Sequence, residues 1–281
     1  MEKSINREEL KELLSKYDIG KKPLAALLGW GETTIILYGN MEVIPNNEYS
    51  RELYRLYTDK NRFKCLLVKN KNTLTGVAYR KAIRALYDPI LKSRILTVSQ
   101  YIIDNCPGVT TEVQLDVILL WSQILSLKFL NKPIFEDIYQ PTKGNGNSPY
   151  KSVAQSFKDG VFFMESNPEL KSMLTEDLTE IYKLDTSDII DEETANIISF
   201  VGEMFSWYGE RAFNSLLAAE RFRLCGPPQE KTRRSVSNEL LKKIYTDIFD
   251  QAKIKKMKDV ESFVFKRLET IRKKTVTSSE K

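Results

Sequence analysis

Seven side chains near the N-terminus have the types that recognise DNA: Lys21, Lys22, Glu32, Thr33, Thr34, Leu37 and Asn40. They flank the stretch PLAALLGWGETTIILY, in which Ala25, Gly29 and Ile35 stand in the order a helix-turn-helix needs. A small residue lets two helices approach, a glycine accepts the left-handed turn, and an apolar anchor on the second helix closes the core. Leu24, Leu28, Ile35 and Tyr38 are expected to form that core, with Gly31 and Glu32 opening the second helix. Lysines serve phosphates. Thr33, Thr34 and Asn40 can reach a base edge or a phosphate, and Glu32 can accept from cytosine N4. Ile36 and Leu37, also expected on the solvent side, can only touch a thymine methyl or form a protein contact. The same spacing also describes an αα-corner that only packs.

Other chemistries find little support. Histidine is absent, which removes the commonest general base and zinc ligand. Cys65, Cys106 and Cys225 are odd in number and far apart, so neither a disulfide framework nor a CxxC site is expected. The carboxylates of EDIY and TEDLTE sit on polar helix faces without an accompanying Cys or Gly-rich phosphate loop, and read as solvated surface. The expectation is therefore a protein without enzymatic activity, cofactor or metal. The apolar run VILLWSQILSL is short and interrupted by Gln123 and serines, and MEKSINREELKELL lacks the apolar core of a signal peptide. A cytoplasmic protein with no membrane partner is expected.

These residues need helices to position them. Asn6 followed by Glu9 is a capping-box signature before Leu10, Leu13, Leu14 and Tyr17 at helical spacing. NNEYSRELYRLY and NRFKCLLVKN complete an N-terminal unit over residues 1–69, and 70–92 reads as a linking helix. ILTVSQYIIDNC ends at Pro107-Gly108, and Thr110 or Thr111 caps EVQLDVILLWSQILSLKFL, apolar nearly all round and so the expected centre of a second domain over 93–250. KPIFEDIYQP has the alternation of a short strand, and TKGNGNSPY is a turn-rich loop. Trp121, Phe205 and Trp207 lie inside apolar helical runs and are expected in the core. The fold class expected is mainly α: a helix-turn-helix bundle, then a mostly helical domain with one short strand element.

Charge is uneven. The net charge is +5, yet residues 251–281 alone hold ten Lys/Arg against four acids, a net of +6, so the remainder is close to neutral. Residues 1–69 carry twelve basic and ten acidic groups, too few positives to argue DNA binding from charge. In the tail, Ile254, Met257, Val260, Phe263, Val264 and Leu268 recur at three- and four-residue spacing. That pattern docks a helix on its own domain, with binding of nucleic acid or an acidic protein as the other reading.

Two blocks carry a family resemblance. LLGWGETT, with IPNNEYSREL behind it, resembles the helix-turn-helix that precedes the Panacea (SocA-like) domain in many bacterial and phage antitoxins, a module also similar to part of the MqsA antitoxin. QLDVILLWSQILSLKFLNKPIFEDIYQP resembles the start of the Panacea domain, with Leu115, Leu119, Leu120, Trp121, Leu127, Asn131, Pro133 and Phe135 at matching places. Where that family carries an arginine before the tyrosine of its second helix, this chain has Leu37. The resemblance implies a type II antitoxin that binds a cognate protein toxin, represses its own operon at operator DNA and can form a homodimer. It implies a toxin-binding surface around the central loop, for which Tyr139, Gln140, Lys143, Asn145, Asn147 and Tyr150 are the candidates; a solvated connector is the other reading of that loop. The alternative function is a phage or mobile-element transcription regulator with no toxin.

Overall fold

In the computed structural model, which describes residues 5–40, 46–106, 108–140, 149–164, 179–183, 190–225 and 235–279, the chain is mainly α-helical. Its contacts divide it into two units, Met1–Lys92 with Phe163–Thr186, and Ser93–Phe162 with Ser187–Lys281. Phe163–Thr186, which the linear reading places in the second domain, group with the first unit, and the basic tail groups with the second.

The first unit is built from α1 (Arg7–Lys16), α2 (Lys21–Leu28), α3 (Glu32–Asn40), α4 (Asn47–Thr58), α5 (Lys60–Lys69) and α6 (Gly76–Leu91). The expected capping box opens α1, with the Glu9 N–H donating to Asn6 and the Asn6 N–H to the Glu9 carboxylate, both at 2.9 Å. Asn46 and Asp59 cap α4 and α5 one way only, their side chains accepting from the Tyr49 and Arg62 N–H groups. The core draws on each helix: Leu13, Leu24, Ile35, Leu53, Leu56, Phe63, Leu67, Ile83 and Leu86 are fully buried. Each contributes about 1.5–3 kcal/mol of apolar burial. Tyr17 stacks on Phe63 at 3.7 Å between ring centres and donates its hydroxyl to the Leu56 carbonyl at 3.0 Å. Burial pushes the Tyr17 phenol above its ordinary value.

The second unit surrounds α8 (Glu112–Leu125), which packs against α7 (Arg94–Asn105), α10 (Glu192–Phe205), α11 (Glu210–Cys225) and α12 (Asn238–Gln251). Every residue from Leu115 to Leu125 is buried, as a helix apolar nearly all round requires. Thr111 and Gln114 form its capping box. The helix continues as one π-turn, Ser126–Leu130, and stops at Asn131 in the left-handed region. Of the described residues, only the run Glu112–Leu130 is long and apolar enough to cross a membrane, and most of it is buried inside the protein. At Gly202 of α10 an added Cβ would lie 2.5 Å from the Cys106 Sγ, so only glycine lets the end of α7 seat there.

The strand expected over KPIFEDIYQP is replaced by irregular chain carrying one antiparallel bridge, Tyr139 to Val236. Side chains satisfy the backbone that a ladder would otherwise pair. The Gln123 amide donates to the Phe135 carbonyl and accepts from the Ile134 N–H, both at 2.8 Å, and Asn238 also donates to Phe135. α9 (Lys151–Lys158) packs on α7, and α13 (Met257–Ser279) packs on α11.

Candidate functional site

Among the described residues, two helix pairs present exposed side chains of interest, one in each unit. In the first, α2 ends at Gly29, whose φ of +68° is the left-handed turn expected from sequence. The Gly29 and Trp30 N–H groups close the turn onto the carbonyls of Ala26 and Ala25, at 3.2 and 2.9 Å. Ala25 and Ile35 are buried between the helices with Leu24 and Leu27, while Leu28 and Tyr38, expected in the shared core, are only partly covered. Trp30 turns back onto Tyr49 of α4 at 4.3 Å between ring centres.

This arrangement leaves Glu32, Thr33 and Asn40 exposed on α3 and Thr34 and Leu37 half-buried. Ile36 and Leu37, expected in solvent, are both partly covered. The lysines of α2 reach across to the two ends of α3. Lys22 pairs with Glu32 at 3.2 Å, and Lys21 donates to the Asn40 side chain at 3.1 Å. Lys21 lies over Gly39, where an added Cβ would come within 2.8 Å of its Nζ. The Lys22 and Glu32 side chains are 75% and 47% exposed, so their pair is a weak surface one that a phosphate can displace.

The central-loop candidates fare differently. Tyr139 and Tyr150 are core residues, 1% and 2% exposed, and not surface residues available to a partner. Their rings meet edge to face at 5.9 Å, and Tyr150 meets Phe135 in the same way at 5.3 Å. Burial raises both phenols. The rings pack on one another and on Phe135, which overrides the expectation that a turn-rich loop exposes its tyrosines. Gln140 is partly exposed and donates its N–H to the Pro149 carbonyl at 2.9 Å. Lys143, Asn145 and Asn147 lie outside the described residues.

The second surface was not anticipated. Trp121 and Phe205 are buried as expected, but Trp207 is 91% exposed. It falls two residues past Phe205, in the turn between α10 and α11, where the helical register that would carry it inward has ended. Next to it, Tyr208 begins a groove of about 600 Å³ between α11 and α13, lined also by Arg211, Ala212, Phe265, Leu268 and Arg272. Phe265 is 53% exposed.

A buried ion pair joins the same two helices. Glu220 of α11, with no exposed surface, is held by Arg267 of α13 at 2.7 Å and by the Tyr245 hydroxyl of α12. Burial raises the Glu220 carboxyl, and the Arg267 charge and the Tyr245 hydrogen bond oppose it. Tyr245 packs on Trp121, and Phe249 continues the aromatic row to Phe263. Val260 and Val264 of α13 are fully buried, so the amphipathic pattern of the tail is used for docking on its own unit. The sequence signal for the groove was Phe265, which breaks the spacing of that apolar stripe.

No protein-family model, curated protein or solved structure matches this chain.

Proposed function

We propose that the chain is a non-enzymatic antitoxin acting in the cytoplasm. Its second unit binds and neutralises a protein toxin, and its α2–α3 pair represses the shared operon. The observation that carries the reading is the α2–α3 corner. A buried Ala25, a left-handed Gly29 and a buried Ile35 hold a short helix whose exposed residues are Glu32, Thr33 and Asn40, flanked by two lysines. That is the arrangement a helix-turn-helix uses to lay its second helix in a major groove. The resemblance of the LLGWGETT and QLDVILLW blocks to Panacea antitoxins supports the toxin-binding half.

DNA recognition here is modest, because no arginine stands on α3 to grip a guanine and the unit carries little net positive charge. Binding then depends on phosphate contacts from Lys21 and Lys22, and on a second subunit doubling the site. The test is co-expression with the product of the adjacent reading frame, a growth assay of that frame alone, and a gel shift on the upstream DNA. The reading requires a frame that is toxic alone and is bound and silenced by this chain. A harmless or unbound neighbour with a positive gel shift would favour a transcription regulator without a toxin.

A further inference from the structure

We infer that the groove between α11 and α13 is a docking site for an acidic, amphipathic helix of a partner protein. The inference rests on the antitoxin reading for the partner's identity, but not for the chemistry of the groove. The trough is apolar at its base, with Ala212, Leu268 and Phe265, and walled by Tyr208. Trp207, the residue before Tyr208 in the chain, stands almost wholly in water. An exposed tryptophan next to an open apolar channel is the anchor-and-groove arrangement by which helices are captured through residues at i, i+3, i+4 and i+7.

Charge selects the occupant. Arg211 and Arg272 line the groove, and among the described residues neither guanidinium has an ion-pair partner. Lys266 and Lys273 are also exposed on α13, within a C-terminal stretch of net +6. Glu269 is the one acid in the lining. A ligand helix flanked by Asp and Glu meets complementary potential here, whereas a second copy of this chain would bring one basic helix against another. A membrane surface fits poorly, because a bilayer cannot fill a concave channel between two helices. Single-stranded nucleic acid would satisfy the cations but leave the apolar base of the groove unfilled.

The experiment is a titration of the full chain followed by tryptophan emission. The probe is a synthetic helical peptide of about four turns, with Leu at i, i+3, i+4 and i+7 and Glu at the flanking positions. The expected result is a saturable blue shift that Trp207→Phe removes. Phe265→Glu and Arg272→Glu should each weaken binding by about ten-fold or more. Both changes are at exposed positions, and circular dichroism and melting of each variant establish that it folds. The same peptide with Lys in place of Glu should not saturate. No shift with the Glu peptide, equal binding of the Lys peptide, or a response only to anionic vesicles or oligothymidine would overturn the assignment.

Co-purification with the adjacent-frame product separates the two ideas. If that product binds the wild-type chain and escapes Phe265→Glu, the groove is its dock. If it binds both equally, the groove is not. If it binds neither, the antitoxin reading falls and the peptide titration alone judges the groove.

Discussion

The α2–α3 pair and the α11–α13 pair are both helices packed on one another, yet they expose opposite chemistries. The first closes tightly over Ala25 and Ile35 and shows solvent hydroxyls, an amide and a salt-bridged carboxylate. The second is joined by a buried ion pair and elsewhere opens into a channel lined by Ala212, Phe265 and Leu268, next in the chain to an exposed tryptophan. Tight closure leaves a polar ridge, suited to a groove in another molecule. An incomplete closure leaves a groove, suited to another molecule's ridge.

The largest expected effect comes from the ion pairs, which differ most sharply between the two. Removing Arg267 leaves Glu220 buried without its counter-ion, and Arg267→Ala should cost about 3–5 kcal/mol in the second unit's denaturant transition. Lys22→Ala removes an exposed pair and should change stability by about 0–1 kcal/mol. Similar costs for the two would erase the difference between a buried and an exposed ion pair.

The turn is the next point to strain. An added Cβ at Gly29 meets no neighbouring atom, so only its backbone angle penalises a substitution. Gly29→Ala should cost the first unit about 1–2 kcal/mol, visible as a fall of several degrees in its melting temperature. Loss of DNA binding with an unchanged melting temperature would contradict a purely conformational role for the glycine.

The legible parts of the fold were those decided within a few residues. Asn6 with Glu9 and Thr111 with Gln114 name their helix starts because a cap is a local hydrogen-bond exchange. Gly29 was legible because the turn needs an angle that other residues resist. Trp207 was not, because its exposure follows from α10 ending at Phe205, one register step earlier than the apolar run suggests. Nor were Tyr139 and Tyr150, buried by contacts with Phe135 and each other instead of being shown by their loop. The α11–α13 groove joins stretches about fifty residues apart in sequence, and no local spacing reports such a channel.

Titration offers a gentler probe of the first unit. Lys60 is half-buried near Lys16 and Lys64, and burial first, then those like charges, bring its pKa down to about 7. In the unfolded chain it stays protonated to about 10.4. Between these values the folded state binds fewer protons, so stability rises as pH climbs through that window, and the penalty is fully present below it. Lys60→Met should flatten the slope of melting temperature against pH between about 7 and 10. An unchanged slope would remove Lys60 as its source.

The smallest effects on stability should carry large effects on recognition. Thr33→Ala with Asn40→Ala should leave melting within about 0.5 kcal/mol of wild type while weakening a gel shift on upstream DNA. Those variants should not touch the second unit's partner.

The measurement that tests the account most directly is growth rescue by the wild-type chain and by Phe265→Glu, each co-expressed with the adjacent reading frame. The account predicts that the frame is toxic alone and that the wild-type chain restores growth. It also predicts that Phe265→Glu, folded and still shifting the upstream DNA, does not. A frame that is harmless alone, or one silenced equally well by Phe265→Glu, would contradict it.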